Sequence, residues 1–344
     1  MPNMNTDIPK IRRLIRAVLP RLLMLVFYLG FMEVTLRLGG YEPWQIYQPI
    51  FPNMPRDQEF DPELGWRNKP GQFVYPGFEA GQVITLTHAA DGTRVTSYHP
   101  VQPVKGSVWV VGNSFVQGMA ISDEETFAWK LQEALPDIQV RNLAVAGYGT
   151  YQSMLMVERH LAQDTPRPQM VIYGFNDFHE MRNTASFIWL RGITINSTES
   201  DKVSIPYATV ENGRLVRHPP DRFAHWPWRE KSALITALED VFEGIRTWRR
   251  THQEREVTRQ ILLTMRDELE AQGIHFLVVF LAAKDESRKA DYLQFFQEQH
   301  LDYLDCTHPR YGSPEMSVPL EGHPNGKLNS FWAQCILQHP FFSR

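Results

Sequence analysis

The sequence predicts an α/β fold in which helices cover both faces of a parallel sheet. Short apolar runs recur at Ser107–Val111, Ile138–Val145, Gln169–Tyr173, Ile274–Ala282 and Leu301–Asp305. Between them lie stretches with helical spacing, such as Phe127, Leu131 and Leu135 before Pro136, and the segments YQSMLMVERHLAQ and VTRQILLTMRDELEAQG. Strands separated by helices of this length require parallel crossovers, so a doubly wound core is expected to begin near Gly106.

Taken in order, the chain starts with Lys10, Arg12, Arg13, Arg16 and Arg21, followed by an uncharged run from Leu22 to Met32. That run is short of the ~20 residues that span a hydrocarbon core. The wider window Ile15–Leu38 is long enough, and on a helix its Glu33 and Arg37 would face each other and pair. Residues 1–38 are therefore expected to be a cytoplasmic tail and uncleaved signal anchor. A cleaved signal peptide and an amphipathic helix of a soluble or peripheral protein are the alternatives. The preceding positive charge would keep the N-terminus cytoplasmic. The anchor would make one pass through the cytoplasmic membrane and place the remaining chain on its periplasmic or extracellular side.

Residues 39–105 form a lead rich in Pro, Gly and aromatics, expected to pack on the core. Within it DPELGWRNKPG reads as turns around a buried Trp66, and Gln82–His88 as a short alternating strand. The core follows over 106–344. An insertion at about 183–250 interrupts its rhythm with Trp189, Trp226, Trp228 and Trp248 and an amphipathic piece, ALITALEDVFEGIRTW. It is expected to lie above the strand ends as a lid or cleft wall, with plain helical packing as the alternative. Asn196-Ser197-Thr198 matches the glycosylation sequon.

Composition narrows the function classes. The 344 residues are 43 % hydrophobic, enough for one large core, and carry 35 basic against 39 acidic side chains, a net charge of -4. No long basic stretch interleaved with aromatics argues for nucleic acid. The two cysteines, Cys306 and Cys335, form no CxxC motif, which argues against structural zinc. They read either as one disulfide in an oxidising compartment or as two buried thiols.

The chemistry concentrates around Ser114 in VWVVGNSFVQG. A serine at a strand-to-helix turn bracketed by Gly112 and Gly118 sits at the carboxyl end of a parallel sheet, where ligands bind. No Gly-Lys-Ser/Thr triplet makes this a phosphate loop, and Val116 breaks the G-x-S-x-G elbow pattern. Ester cleavage needs a nucleophile, a base, an orienter for that base and donors for the oxyanion. Ser114 is the candidate nucleophile, with a helix-capping serine as the alternative. His323 in EGHPN is the candidate base. Glu321, two residues upstream, is the candidate orienter, with a surface-turn role as its alternative and Asp305 as a weaker substitute.

The backbone N–H groups of Ser114 and Gly147 and the side-chain amide of Asn176 are the candidate oxyanion donors, because glycine allows close approach and an amide is a neutral donor. Gly149 reads simply as permitting the turn, and Asp177 as stabilising its loop or capping a helix. Asn113, His179 and Phe175 are candidates for substrate contact. The set suggests a serine hydrolase or a serine-dependent acyl transferase.

Four blocks in order, Gly112-Asn113-Ser114-Phe115-Val116-Gln117-Gly118, Asn142-Leu143-Ala144-Val145-Ala146-Gly147, Gly174-Phe175-Asn176-Asp177 and Glu321-Gly322-His323-Pro324-Asn325, resemble those of the SGNH/GDSL hydrolase superfamily. The resemblance implies a three-layer α/β/α, flavodoxin-like domain with a five-stranded parallel sheet. It also implies Ser114 as nucleophile, His323 as base, and Gly147 and Asn176 as oxyanion contributors. The family usually has Asp where Asn113 stands, although membrane-associated branches carry Asn. Its final acid is commonly an Asp three residues before the histidine, where this chain has Leu320. The anchor and Gly-Trp lead resemble envelope-associated members.

The expected activity is removal of short acyl groups, acetyl above all, from a carbohydrate or other small ester of the envelope, with neither metal nor organic cofactor. Acyl transfer by the same residues and a catalytically inactive binding or scaffold protein are the alternatives. The expected partners are a small-molecule or glycan ester and the membrane, with no nucleic acid.

Overall fold

A computed structural model describes residues 8–45, 56–78, 81–101, 105–163, 166–197, 199 and 201–342. Helix α1 (Ile8–Leu38) is followed by two small antiparallel ribbons, β1 (Gln58–Asp61) with β2 (Gly65–Asn68) and β3 (Gly71–Pro76) with β4 (Val83–His88). The core then runs β5 (Gly106–Val111), α2 (Ser114–Gln117), α3 (Phe127–Ala134), β6 (Ile138–Asn142), α4 (Thr150–Gln163) and β7 (Met170–Asn176). The interruption contains α5 (Glu180–Asn183), α6 (Phe187–Ile195), the hairpin β8 (Ile205–Glu211) and β9 (Arg214–Asp221), and α7 (Ala233–Thr251). The core resumes with α8 (Glu254–Glu270), β10 (His275–Ala282), α9 (Glu286–Glu298), β11 (Tyr303–Asp305) and α10 (Gly326–Leu337).

The central sheet has five parallel strands in the order β6-β5-β7-β10-β11. Side chains alternate between its faces, as strand geometry requires. Val108, Ile172 and Leu277 face α3 and α10, where Trp332 and Leu131 meet them. Trp109, Tyr173 and Val278 face α4, α8 and α9, where Met154, Ile261 and Phe296 meet them. The result is a three-layer α/β/α arrangement. The first strand of the sheet, β5, has β6 on one side and β7 on the other, so the chain direction reverses there and opens a crevice at the carboxyl ends.

Several boundaries differ from the sequence expectation. The second strand stops at Asn142 rather than Val145, because the next residues leave the ladder to form a loop held by Leu143 N–H to Val110 at 2.8 Å. The third extends past Tyr173 to Asn176, which pairs with Ala282 beyond a bulge in β10. The segment around Trp66 is a hairpin rather than turns alone. Phe60 faces Trp66 across it, and Asp61 Oδ1 closes the connection by accepting the Glu63 and Leu64 amides at 3.0 and 2.9 Å.

The lead clamps the loop after β6. Trp66 Nε1 donates to Ala146 O at 2.8 Å, and Asn68 Nδ2 donates to Ala144 O at 3.0 Å. In the interruption, β8–β9 packs on α8, with β8 also against α4 and α5, while α7 packs against α1 and α6. Cys306 and Cys335 are joined in a disulfide between the end of β11 and α10. Thr198 of the sequon lies outside the described residues.

Window Arg16–Leu38 of α1 covers 23 residues at a mean hydropathy of 1.8, with none of it buried against the protein. It is long and apolar enough to cross a membrane. Its Glu33 and Arg37 pair at 2.6 Å, one helical turn apart.

Candidate active site

Ser114 opens α2 directly after β5. Asn113 caps the turn, its Oδ1 accepting the Phe115 amide at 2.8 Å while its carbonyl accepts those of Val116 and Gln117 at 3.1 and 2.8 Å. Gly112 has φ +154°, and a Cβ there would stand 2.5 Å from Val116 Cγ2. Val116 therefore occupies the space that glycine leaves open, which is how the turn accommodates a residue foreign to the elbow pattern.

His323 comes from the far end of the chain, on a tight loop between Met316 and Asn325. The loop is closed by Val318 N–H to His323 O at 2.7 Å and Asn325 N–H to Met316 O at 3.1 Å. Leu320 and Gly322 take φ of +65° and +88°. Between them Glu321 turns inward, while Leu320 is 98 % exposed. Leu320 thus points into solvent, and the longer carboxylate next to it reaches the imidazole.

Glu321 Oε1 lies 2.6 Å from His323 Nδ1, and its Oε2 accepts the His323 amide at 2.8 Å. His323 Nε2 is 2.9 Å from Ser114 Oγ. One carboxylate thus holds both the ring, at Nδ1, and the backbone amide of the same histidine, and a neutral imidazole protonated on Nδ1 presents a lone pair to the serine. Phe115 supports the ring from the side, edge-on at 5.6 Å, and is itself backed by Trp332 at 6.1 Å.

Asn176 ends β7, beside the strand that leads to Ser114. It is fully buried, and both its Nδ2 and its Oδ1 lack a hydrogen-bond partner. A buried amide without partners costs about 1–3 kcal/mol, so such a group in a native fold calls for a ligand or water to satisfy it. Gly147 follows β6 with φ +87°, its Cα against Trp66, where an added Cβ would stand 2.9 Å from Cζ2. Ser114, Gly147 and Asn176 therefore derive from the carboxyl ends of three adjacent strands.

The three candidates for substrate contact fall in different places. Asn113 Nδ2 and His179 Nδ1 meet at 2.8 Å, so the imidazole accepts there and keeps its proton on Nε2. His179 is buried, and desolvation, with the charges of Arg182 and His323 adding to it, holds its pKa well below the ordinary histidine value. It is a neutral brace for the Asn113 cap. The Phe175 ring is 1 % exposed and packs among Phe280, Tyr292 and Phe296 at 5.1, 4.7 and 5.7 Å, on the α8–α9 side of the sheet. This buried aromatic cluster keeps the ring from facing a ligand. Asp305 is occupied elsewhere, paired with Lys289 at 2.8 Å and accepting from Thr307 at 2.6 Å.

Beside the site opens a cavity of about 380 Å³ lined by Asp177, Phe178, Glu254, Lys284, Arg288 and Tyr311, among others. Two of its lining rings, Phe178 and Tyr311, lie 5.9 and 6.0 Å from Phe115, the residue after Ser114. Asp177 Oδ1 accepts the Lys284 amide at 2.8 Å, while its buried Oδ2 has no partner. Burial pushes the Asp177 carboxyl pKa upward. Glu180 and Met181 of α5 line the cavity as well, beside Glu254 of α8, so the described residues of 183–250, expected as a lid or cleft wall, contribute none of its lining.

Sequence reasoning missed the layer behind Ser114. Arg94 is wholly buried and donates to Asp123 Oδ1 at 3.0 Å, to Gln117 O at 2.7 Å and to Ile121 O at 2.7 Å, holding the chain that leaves α2. Gln117 reaches Asn68 Oδ1 at 2.9 Å, linking that chain to the lead. A lone arginine in a polar stretch carries no local signal for this role. Among the described residues, His275, Asp302 and His339 form a grouping of metal-ligand type. Both imidazoles contact the same Asp302 oxygen, at 2.5 and 3.0 Å, and His339 Nδ1 accepts the Phe341 amide at 3.3 Å. The cluster is satisfied by hydrogen bonds and includes the first residue of β10, at the opposite end of the sheet from Ser114.

No protein-family model matches this sequence, and no curated protein does. Among solved structures, similarity extends to the psychrotrophic esterase EstA from Pseudoalteromonas sp., at 9 % identity over 67 % of this chain and 94 % of that one, TM-score 0.38. A member of the lipolytic G-D-S-L family from Veillonella parvula is 8 % identical over 68 % and 98 %, TM-score 0.37. The acetylxylan esterase Axe2 from Geobacillus stearothermophilus, as a catalytic mutant, is 9 % identical over 69 % and 95 %, TM-score 0.35. At these scores the likenesses decide nothing about chemistry, which rests on the geometry around Ser114.

Proposed function

We propose that this protein is a serine-dependent carboxylic ester hydrolase of the SGNH/GDSL type. The observation that carries the reading is the continuous contact Glu321 Oε1 to His323 Nδ1 at 2.6 Å and His323 Nε2 to Ser114 Oγ at 2.9 Å. As Ser114 Oγ attacks the ester carbonyl, His323 takes its proton and Glu321 supports the resulting imidazolium. The oxyanion is held by the Ser114 and Gly147 amides and by Asn176 Nδ2, whose lack of any protein partner supports that role. His323 returns the proton to the departing alcohol, then activates water to release the acid from acyl-Ser114.

The cavity next to the site supports a polar alcohol portion. Lys284, Arg288, Glu254 and the unpartnered Asp177 oxygen suit a hydroxyl-rich group better than an alkyl chain. The substrate class proposed is therefore a short acyl, chiefly acetyl, ester of a carbohydrate. Helix α1 serves as a single-pass anchor, with the lead of residues 39–105 and the catalytic domain of 106–344 on the periplasmic or extracellular side. The Cys306–Cys335 disulfide suits an oxidising compartment.

The test is intact-protein mass after fluorophosphonate treatment of the full chain in lipid nanodiscs. One adduct is expected on the wild type, none on Ser114→Ala, and much slower labelling on His323→Ala. An unlabelled but folded wild type would sink the hydrolase reading. Acetate released from an acetylated oligosaccharide then distinguishes hydrolysis from transfer, in which the acyl group appears on an added sugar instead.

A further inference from the structure

Helix α7 is amphipathic in the reverse sense from a core helix. Its polar side faces the protein. Glu239 accepts the Trp226 amide at 2.6 Å, Glu243 accepts the Ala224 amide at 3.1 Å, and Arg250 donates to Ala185 O at 2.9 Å, all three side chains being buried. Its apolar side, Leu238, Val241, Phe242, Ile245 and Trp248, faces outward, with Ile245 73 % exposed. Residues at this spacing form one continuous stripe along the helix. A soluble protein seldom leaves such a stripe uncovered, so it marks a surface that meets something apolar.

The position of α7 says what that is. Its N-terminus is fastened to α1 by Glu33, which accepts from Ser232 Oγ at 2.8 Å and from the Ala233 and Leu234 amides at 3.0 and 2.8 Å. Arg37 donates to Lys231 O at 2.8 Å, and Tyr41, just beyond α1, bonds Asp240 farther along α7. The apolar stripe thus starts where the apolar surface of α1 ends. Exposed Trp228 and Trp248 stand near its two ends, and exposed Lys231 and Arg249 lie beside them. Aromatics and cations arranged this way suit the headgroup region of a bilayer.

We propose that α7 lies flat in the outer interface of the bilayer that α1 crosses, its apolar stripe embedded at acyl-chain level and its buried polar side carrying the domain. The proposal rests on α1 being a membrane-spanning anchor. The bonds of Glu33 then orient the catalytic domain on the membrane plane, so that the domain is docked as well as tethered.

Nitroxide accessibility tests this in the full chain, whose native cysteines are paired and leave single introduced cysteines to be labelled. Labels at Phe27→Cys in α1, Ile245→Cys in α7 and the exposed Gln294→Cys in α9 are compared in nanodiscs of phosphatidylcholine and phosphatidylglycerol, one chain per disc. The ratio of oxygen to water-soluble nickel-chelate accessibility is expected to be highest at 27 and several-fold higher at 245 than at 294. A label at 245 as open to nickel as that at 294, with 27 still protected, overturns the docking while leaving the anchor. Nickel access at 27 overturns the anchor and the docking with it. Protection at 245 accompanied by spin–spin broadening in discs holding two chains, and absent with one, assigns the stripe to a second copy and also overturns the proposal.

Discussion

Replacing Glu321 by Gln isolates the part of the site that sequence left least certain. The side chain keeps its shape, but only one of its two terminal atoms can now accept. The His323 amide is a donor held at 2.8 Å, so the Gln oxygen must serve it, and the NH₂ is left facing Nδ1, where the carboxylate oxygen stood at 2.6 Å. Nδ1 then becomes an acceptor and the imidazole proton moves to Nε2, facing Ser114 Oγ. A ring in that tautomer cannot take the serine proton. The charge is also lost. At 2.6 Å, a carboxylate–imidazolium pair is worth about 6 kcal/mol with an effective dielectric constant of about 20.

Both side chains retain solvent, 23 and 15 % exposed, so screening reduces this to something on the order of 4 kcal/mol. That corresponds to roughly 10³-fold in rate. With the tautomer effect included, kcat should fall by about 10³–10⁴ at neutral pH with KM little changed. The assay is steady-state hydrolysis of a chromogenic acetyl ester, with the fluorophosphonate labelling rate as a second measure and the thermal midpoint as a check on folding. A folded Glu321→Gln protein within about tenfold of wild type in both rates would refute the assignment of Glu321 as orienter.

Three further outcomes are expected. Arg94→Met leaves the Asp123 carboxylate buried without its cation and frees the carbonyls of Gln117 and Ile121, so urea unfolding should show a loss of about 3–5 kcal/mol. His88 is buried, and desolvation lowers its pKa to about 4, with Lys69 O accepting from Nδ1 at 3.0 Å. Because the unfolded chain binds this proton near pH 6.5 and the folded one does not, its stabilising contribution is complete above that pH and is lost as pH falls toward 4. His88→Gln should therefore reduce the loss of stability between pH 7.5 and 5 by about 2 kcal/mol, measured by denaturant titration at each pH. The Cys306–Cys335 bond closes a separation of 29 residues, so replacing both by Ser should cost about 3–4 kcal/mol and lower the thermal midpoint, matching the effect of reductant on the wild type.

Local patterns determined the fold class and the order of its parts. Val108–Val111 and Phe276–Ala282 are so continuously apolar that they had to be buried strands, and intervening helices of moderate length required parallel crossovers. Turn chemistry likewise marked the candidate residues Ser114, Gly147, Asn176 and His323, since glycine and asparagine after a strand leave a local trace. The extent of β7 was not legible, because its last pairing depends on a bulge in β10, a hundred residues away in sequence.

What only the tertiary structure decided are the contacts between distant segments. From sequence Glu321 could be the orienter or a surface-turn residue, and the positive φ at Leu320 and Gly322 turned it toward the histidine and Leu320 out. Phe175 shares a motif with Asn176, yet strand alternation sends its ring into the α8–α9 core. The sequence shows that ALITALEDVFEGIRTW has two faces, but periodicity is the same whichever face is buried. Only the partners of Glu239, Glu243 and Arg250 settled that its polar face lies inside, because the direction a helix faces is set by its neighbours and not by its own residues.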